Sequence, residues 1–309
     1  MTKPRVLITG VAGFIGSNLA DHLLRSGYAV VGVDNLAYGV REQVPEACEF
    51  HQLDIRSPDL MGVVEKGDVI FHLAAKNCIS DCQEDPVETA SINVHGTVNV
   101  FEAARKNEAA KVVYAESSAM YEGSSVMPTP EDEVAAESFY AVSKLGSMLF
   151  AEAYERYYGL RTTALRYFCA YGPRQDYRRT IPPVMSAFIM KLSKGEPPII
   201  YGTGEKRRDF IHVDDINRFH EMCIHDARTD GQVYNLGSAT NHSVRDIYDN
   251  VARILASDIA PVHKPDLPGE ATETLANIDK AKALGWAPQV SLEDGLRGMV
   301  AYLKEAKVI

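Results

Sequence analysis

Several things are scarce in this sequence, and each shortage removes a class of protein. No apolar run approaches the roughly 20 residues that cross a bilayer; the longest are strand-sized pieces such as VIFHLAA at 69–75. The opening MTKPRVLITG has no apolar stretch ahead of a small-residue cleavage site, so no signal peptide is expected and the chain reads as the mature start. The five cysteines, Cys48, Cys78, Cys82, Cys169 and Cys223, are odd in number and scattered, without a CxxC pair. That leaves a disulfide framework or a metal site unsupported and points to a reducing, cytoplasmic setting. Positive charge is also short. The formal net charge is −10, so neither nucleic acid nor an anionic membrane is expected as the main partner. The cations present are grouped: Arg174, Arg178 and Arg179 in one place, Lys206, Arg207 and Arg208 in another.

What remains is an ordinary globular composition, 46% hydrophobic and 24% charged over 309 residues, enough for one large domain or two smaller ones. Short buried-strand patterns recur at 5–10, 29–34, 50–55, 69–74, 111–116 and 161–168. Between several of them lie amphipathic segments at 14–27, 94–107 and 140–159. This alternation predicts an α/β fold with a doubly wound parallel sheet. After residue 172, Pro and Gly punctuation thickens (GPRQ, IPP, KGEPP, YGTGE, PDLPGE), which marks a looser substrate-side region.

ITGVAGFIG at 8–16 sets Gly10, Gly13 and Gly16, with Phe14 and Ile15 between the last two, at the junction of the first strand and first helix. Small residues there allow a tight turn and close approach to a pyrophosphate, and the helix N-terminus offers N–H groups. Asp34 closes the second strand, 18 residues after Gly16. A carboxylate there accepts hydrogen bonds from ribose hydroxyls and repels a 2′-phosphate, which favours NAD over NADP.

The G-x-x-G-x-x-G spacing resembles the short-chain dehydrogenase/reductase superfamily, in its extended branch of NAD-dependent nucleotide-sugar epimerases and dehydratases. VDNLAYG, LDIR, HLAA, NVHGT, YAVSK, LRYFCAYGPRQ, RRDFIHVDD and YNLGS follow in the family order. The resemblance implies a Rossmann domain over 1–173 and a smaller mixed α/β nucleotide-sugar domain over 174–309, with part of 205–236 returning to the first. It also implies cofactor contacts at Asn35, Asp54, Ile55, Leu73, Ala74, Ala75, Asn93 and Tyr167.

Tyr140 and Lys144 stand four apart in a helical pattern, so they share a face. A phenol titrates near pH ~10; a neighbouring ammonium and a positive nicotinamide lower that value, and the phenolate can then take a proton from a sugar hydroxyl. The resemblance implies that Lys144 also holds the nicotinamide ribose and that Ser117 hydrogen-bonds the reacting oxygen. In relatives that dehydrate a nucleotide hexose the loop resembles Thr-Asp-Glu-x-Tyr. Its Asp protonates the departing hydroxyl and its Glu removes the C5 proton. Laid onto this chain, those positions are Ser117, Ser118 and Ala119. A serine is a poor acid and an alanine has no base, so the expected reaction is epimerisation at C4 of a UDP-hexose through a 4-keto sugar. Glu116 and Cys169 are the groups that a dehydratase or related activity would use instead. Alternation along the strand turns Glu116 away from Ser117 and favours a structural carboxylate. A dinucleotide sensor without chemistry would have no use for Ser117, Tyr140 and Lys144 together.

On the substrate side the resemblance implies that Arg208 grips the diphosphate, that Tyr201 flanks uracil, and that Ser118 and Arg174 line the cleft. The alternative for Arg208 is an ion pair with Asp209 or Asp214. Two positions depart from the family: Cys169 replaces an Asn, with packing as its plain alternative, and Leu267 replaces an Arg. Apolar positions at 94–107 and 140–158 fit a helix-pair homodimer as in relatives, and equally fit core packing.

Overall fold

Runs of branched apolar residues become strands here because each is enclosed on both faces: Val6, Leu7 and Ile8 of the first are fully buried. The computed structural model describes residues 3–179, 182–266 and 271–309, so Leu267 lies outside the described residues. Six strands come first: β1 (Arg5–Thr9), β2 (Ala29–Asp34), β3 (Glu49–Gln52), β4 (Val69–His72), β5 (Lys111–Ser117) and β6 (Thr162–Tyr167). Six shorter ones follow: β7 (Cys169–Tyr171), β8 (Ile199–Tyr201), β9 (Arg207–His212), β10 (Gln232–Leu236), β11 (Asn241–Ser243) and β12 (Val262–Lys264). The helices of the first half are α1 (Phe14–Arg25), α2 (Ile79–Glu84), α3 (Pro86–Ala90), α4 (Thr97–Lys106) and α5 (Phe139–Tyr158). Those of the second are α6 (Val184–Ser193), α7 (Val213–His225), α8 (Val244–Leu255), α9 (Asp279–Lys282) and α10 (Leu292–Glu305).

The main sheet has seven strands in the order β10-β6-β5-β4-β1-β2-β3. The pairings that run from β3 through β2, β1, β4 and β5 to β6 are parallel. The order reverses between β1 and β4, the place where open α/β sheets leave a crevice at the carboxyl ends of their strands. This is the doubly wound, Rossmann-like architecture read from the strand–helix alternation.

The chain divides into two compact units. Met1–Ser125, Glu131–Tyr167 and Asn217–Asn235 form one; Val126–Pro130, Phe168–Ile216 and Leu236–Ile309 form the other. The first packs α4 and α5 on the sheet through Val100, Phe101, Ala104, Tyr114 and Ala151. The second has a three-stranded sheet, β11-β9-β7, and a two-stranded one, β12-β8, and a core that joins α6, α8 and α10 through Phe188, Ile247, Val251, Leu296 and Leu303.

One local expectation is modified. The segment at 94–107 does not begin as an α-helix: Ser91–Gly96 form a π-helical turn, and the α-helix starts at Thr97. The Asn93 carbonyl accepts side-chain hydrogen bonds from Thr97 Oγ1 at 2.6 Å and Ser147 Oγ at 2.9 Å, which supports the widened turn. Such turns concentrate at functional sites.

Candidate active site

The glycine turn is built by crowding. Gly10 has φ +73°, and a Cβ on it would stand 2.7 Å from the Ala74 amide nitrogen. A Cβ on Gly16 would collide with the Gly10 carbonyl oxygen. No side chain caps the N-terminus of α1 and no acidic residue lies in its first turn, so the amides around Phe14, Ile15 and Gly16 are left to an anion. A dinucleotide pyrophosphate fits these residues.

Asp34, 8% exposed, ends β2 beside that turn. Its Oδ2 accepts from the Ala12 amide at 3.0 Å and its Oδ1 from the Leu36 amide at 2.8 Å. Burial pushes the carboxyl above its ordinary value, and the two amides pull it back. Each oxygen retains a lone pair, so ribose hydroxyls can still be accepted. Asn35 Nδ2 donates to Asp54 at 2.9 Å. Arg56 also grips Asp54 through Nε and Nη2, at 2.9 and 2.8 Å, and holds its carboxyl well below the usual range. Ile55 is buried, and a Cβ on Gly96 would lie 2.5 Å from its Cδ1.

The loop after β4 carries Leu73, Ala74 and Ala75. The Leu73 amide donates to the Thr9 carbonyl at 3.1 Å, and that of Ala74 to Thr9 Oγ1 at 3.3 Å. From Thr9 a buried polar chain crosses the sheet. Thr9 Oγ1 and His72 Nδ1 are 2.7 Å apart, and His72 Nε2 and Thr97 Oγ1 are 2.9 Å apart. Burial, seconded by the Lys144 charge, brings His72 down to about 3, so it is neutral. Thr97 then reaches Asn93, whose Nδ2 donates to Ser143 Oγ at 2.9 Å, and Ser143 Oγ donates to the Tyr140 carbonyl at 2.7 Å. The strand end before the glycine turn and α5 are thus tied by hydrogen bonds.

Tyr140 and Lys144 are both buried on α5, with Lys144 Nζ 5.9 Å from the Tyr140 ring centre. The helix starts at a Ser138 cap and ends at Gly159 in the left-handed region. Lys144 Nζ donates to the Ala115 carbonyl at 3.0 Å, two residues before Ser117 on β5. Burial pulls the Lys144 amine down to about 8, against the opposing pull of Glu116 and Cys82. Ser117 Oγ accepts from the Ala119 amide at 3.1 Å and so caps the turn Ser118–Tyr121. The first unit therefore brings together Ser117, Tyr140, Lys144 and Asn93.

Glu116 points elsewhere. It is 1% exposed, opposite Arg166 in the β5–β6 register, and Arg166 Nε meets its Oε2 at 2.6 Å. Burial raises the Glu116 carboxyl and Arg166 opposes that shift. Arg166 Nη1 also donates to Tyr121 Oη at 2.9 Å and to the Glu131 carbonyl at 2.5 Å, while Tyr121 Oη donates to Asn235 Oδ1 at 2.6 Å. Tyr167 Oη and His220 Nε2 lie 2.7 Å apart, so the hydroxyl is engaged within the protein. The sequence reading had not singled out Arg166, yet a charge inside the apolar strand TTALRY was its signal.

Four expected substrate residues lie in the second unit. Cys169 opens β7, is half-buried, and pairs with Phe210 of β9, two residues after Arg208. Arg208 Nη1 donates to the Arg207 carbonyl at 2.9 Å. Asp209 accepts from the Ser238 amide at 2.6 Å, Ser238 Oγ at 2.8 Å, the Ala239 amide at 3.1 Å and the Ala276 amide at 3.0 Å. Asp214 lies 3.6 Å from His212 Nδ1. Tyr201 ends β8, and Arg174 takes φ +68° in the loop after β7.

A glycine turn at a switch point, an acid closing β2, and a Tyr-x-x-x-Lys helix bonded to β5 define a dinucleotide-dependent short-chain dehydrogenase/reductase fold. The chain belongs to the NAD dependent epimerase/dehydratase family, whose model matches residues 6–237. It is 35% identical to the UDP-glucose 4-epimerase of Mycolicibacterium smegmatis, over 97% of this chain and 98% of the relative. It is 33% identical to the UDP-glucuronate 4-epimerase of Thermodesulfobacterium geofontis, over 97% of this chain and 96% of the relative. The crystal structure of Thermotoga maritima UDP-glucose 4-epimerase with UDP-glucose superposes with a TM-score of 0.93 at 32% identity, covering 98% of this chain and 99% of that one.

Proposed function

We propose that the protein inverts C4 of a UDP-hexose through a transient 4-keto sugar. A missing pair carries this reading: Ser118 and Ala119 stand where the loop of dehydrating relatives resembles Asp and Glu. Glu116 supplies no substitute, because it is sealed at 1% exposure and held by Arg166 at 2.6 Å.

NAD, when bound, supplies reversible oxidation at C4. Tyr140 takes the proton of the C4 hydroxyl on its phenol oxygen and later returns it. The Lys144 amine, with a pKa of about 8, is largely charged near neutral pH and favours the phenolate. Ser117 Oγ hydrogen-bonds the same sugar oxygen. Inversion then requires the keto sugar to present its other face, with no further acid or base. Asp34 takes the adenosine ribose and disfavours NADP; Asn35, Asp54, Ile55, Leu73, Ala74, Ala75, Asn93 and Tyr167 complete the cofactor contacts. Arg208 holds the substrate diphosphate as a guanidinium fork, and Tyr201, Arg174, Ser118 and Cys169 line the sugar-nucleotide path. The division of labour follows, with the cofactor held by residues up to about 173, the sugar reached from the same stretch by Ser117, Ser118, Tyr140 and Cys169, and the rest of the nucleotide sugar held by Arg174, Tyr201 and Arg208 beyond it.

A homodimer belongs to the same proposal. Phe139, Val142, Leu149, Phe150 and Tyr157 of α5 are 43–75% exposed, an apolar stripe that a second copy of the helix would cover. A cytoplasmic setting is supported by five free cysteines.

The test is incubation with UDP-, dTDP- and GDP-sugars in D₂O, with products read by NMR and mass. The expected product has the substrate's mass, an inverted C4 and no deuterium on the ring. Loss of one water with deuterium at C5 would replace epimerisation by dehydration, and Cys169→Ser against Glu116→Gln would then locate the base.

A further inference from the structure

Four cationic side chains are buried among the described residues: Lys76, Lys111, Lys144 and Arg166. Two have a carboxylate in contact, Lys111 with Asp230 and Arg166 with Glu116, each at 2.6 Å. Lys144 rests on the Ala115 carbonyl at 3.0 Å and belongs to the Tyr-x-x-x-Lys pair. Lys76 differs from all three. It is 6% exposed, and its amine has no hydrogen-bond or ion-pair partner among the described residues.

Its backbone, by contrast, is clamped. The Lys76 amide donates to Asn93 Oδ1 at 2.8 Å, and its carbonyl accepts from Asn93 Nδ2 at 2.9 Å. The side chain therefore starts from a fixed point. Among the described residues the buried side-chain polar atoms without a partner are Glu116 Oε1, Asn217 Oδ1 and His220 Nδ1. Lys76 Nζ is not among them, so the stem is enclosed while the tip keeps access to open space. With no acceptor among the described residues, that tip is left to water or to an anionic ligand.

The position says which ligands are near. Lys76 is two residues past Ala74, the residue pressed against Gly10 of the cofactor turn. The Asn93 amide that grips it also donates to Ser143 Oγ, which bonds the Tyr140 carbonyl. Lys76 thus lies two residues along the chain from the Gly10 neighbour Ala74, and is linked to Tyr140 through Asn93 and Ser143.

We propose that the Lys76 amine binds an anionic oxygen of a bound ligand. That oxygen is a phosphate oxygen of the dinucleotide, or a phosphate or carboxylate oxygen of the nucleotide sugar. The identity of the second ligand rests on the epimerase reading; the anion-binding role of Lys76 does not.

The test is calorimetry on Lys76→Met, with Lys76→Arg as the conservative variant. NAD is titrated into NAD-free protein, and UDP, a UDP-hexose and a UDP-hexuronate into the NAD-loaded form. Loss of one charge-assisted hydrogen bond should weaken at least one ligand about 10- to 100-fold, with most of the affinity restored by Arg. Loss for NAD assigns the dinucleotide pyrophosphate. An equal loss for UDP and both sugars assigns the substrate diphosphate, and a loss confined to the hexuronate assigns a sugar carboxylate. Affinities within about twofold of the parent for all four ligands overturn the proposal. Should Lys76→Met fail to fold, Lys76→Gln is titrated, and the parent protein is acylated with and without ligands and mapped by mass spectrometry. Protection of Lys76 by a ligand supports the role; labelling that no ligand changes refutes it. A product other than the C4 epimer would overturn the reaction assigned above and leave these affinities, and the proposal, in place.

Discussion

Arg166 and Lys144 are two buried cations of the first unit, and they teach opposite lessons. Arg166 is saturated: it contacts Glu116, Tyr121 and the Glu131 carbonyl, and it knits β5, β6 and the turn after β5. Among the described residues Lys144 meets one backbone carbonyl and no carboxylate. A saturated charge holds architecture and has nothing left for a ligand. An unsaturated one leaves the fold with a cost that a substrate or cofactor can offset. The same contrast separates two carboxylates: Asp209 accepts from four donors, Asp34 from two.

The largest expected effect lies on the unsaturated side. Tyr140→Phe, beside Lys144, should lower turnover by roughly 10²–10⁴ with nucleotide-sugar affinity and melting temperature nearly unchanged. Steady-state kinetics showing a near-parent kcat would remove Tyr140 from proton transfer. On the saturated side, Arg166→Met strands Glu116 and should destabilise the protein by about 3–5 kcal/mol, read by denaturant unfolding. A loss below about 1 kcal/mol, with kcat reduced instead, would erase the distinction between the two cations.

Asp34→Ala should weaken NAD by about 10- to 100-fold while leaving NADP much less affected, so the preference between them narrows. Equal affinities of the parent protein for the two would show that the spare lone pairs of Asp34 do not face the ribose.

The smallest effect is a pH dependence. The Lys144 amine is lowered in the folded state to about 8 from an ordinary 10.5. Between those values the unfolded chain binds more protons, so stability from this group rises with pH across the window and its penalty is complete below it. The melting temperature of Lys144→Met relative to the ligand-free parent should therefore stand highest near pH 7 and decline towards pH 10. A difference independent of pH would mean that the amine is not held out of water. For His72, at about 3 when folded, the sign is the same in a lower window: its stabilisation is complete above pH 6.5 and is lost as pH falls towards 3.

The geometry of the glycine turn and of the Tyr140–Lys144 pair was legible because these features are local. A glycine triplet at a strand–helix junction and two residues four apart on one helical turn owe their geometry to the backbone. The alternation that turns Glu116 from Ser117 was legible for the same reason, and the sheet bears it out. The sequence alone also determined that Ser118 and Ala119 bring no acid or base to the loop, since side-chain chemistry needs no coordinates. Tertiary structure decided the partners. Glu116 meets Arg166, 50 residues on, through the register of β5 and β6. Asn93, within the π-helical turn, clamps the Lys76 backbone and reaches Ser143. Whether a buried charge is satisfied depends on residues far apart in sequence that packing alone brings together, and that separates Arg166, saturated by Glu116, Tyr121 and the Glu131 carbonyl, from Lys144, held by the Ala115 carbonyl.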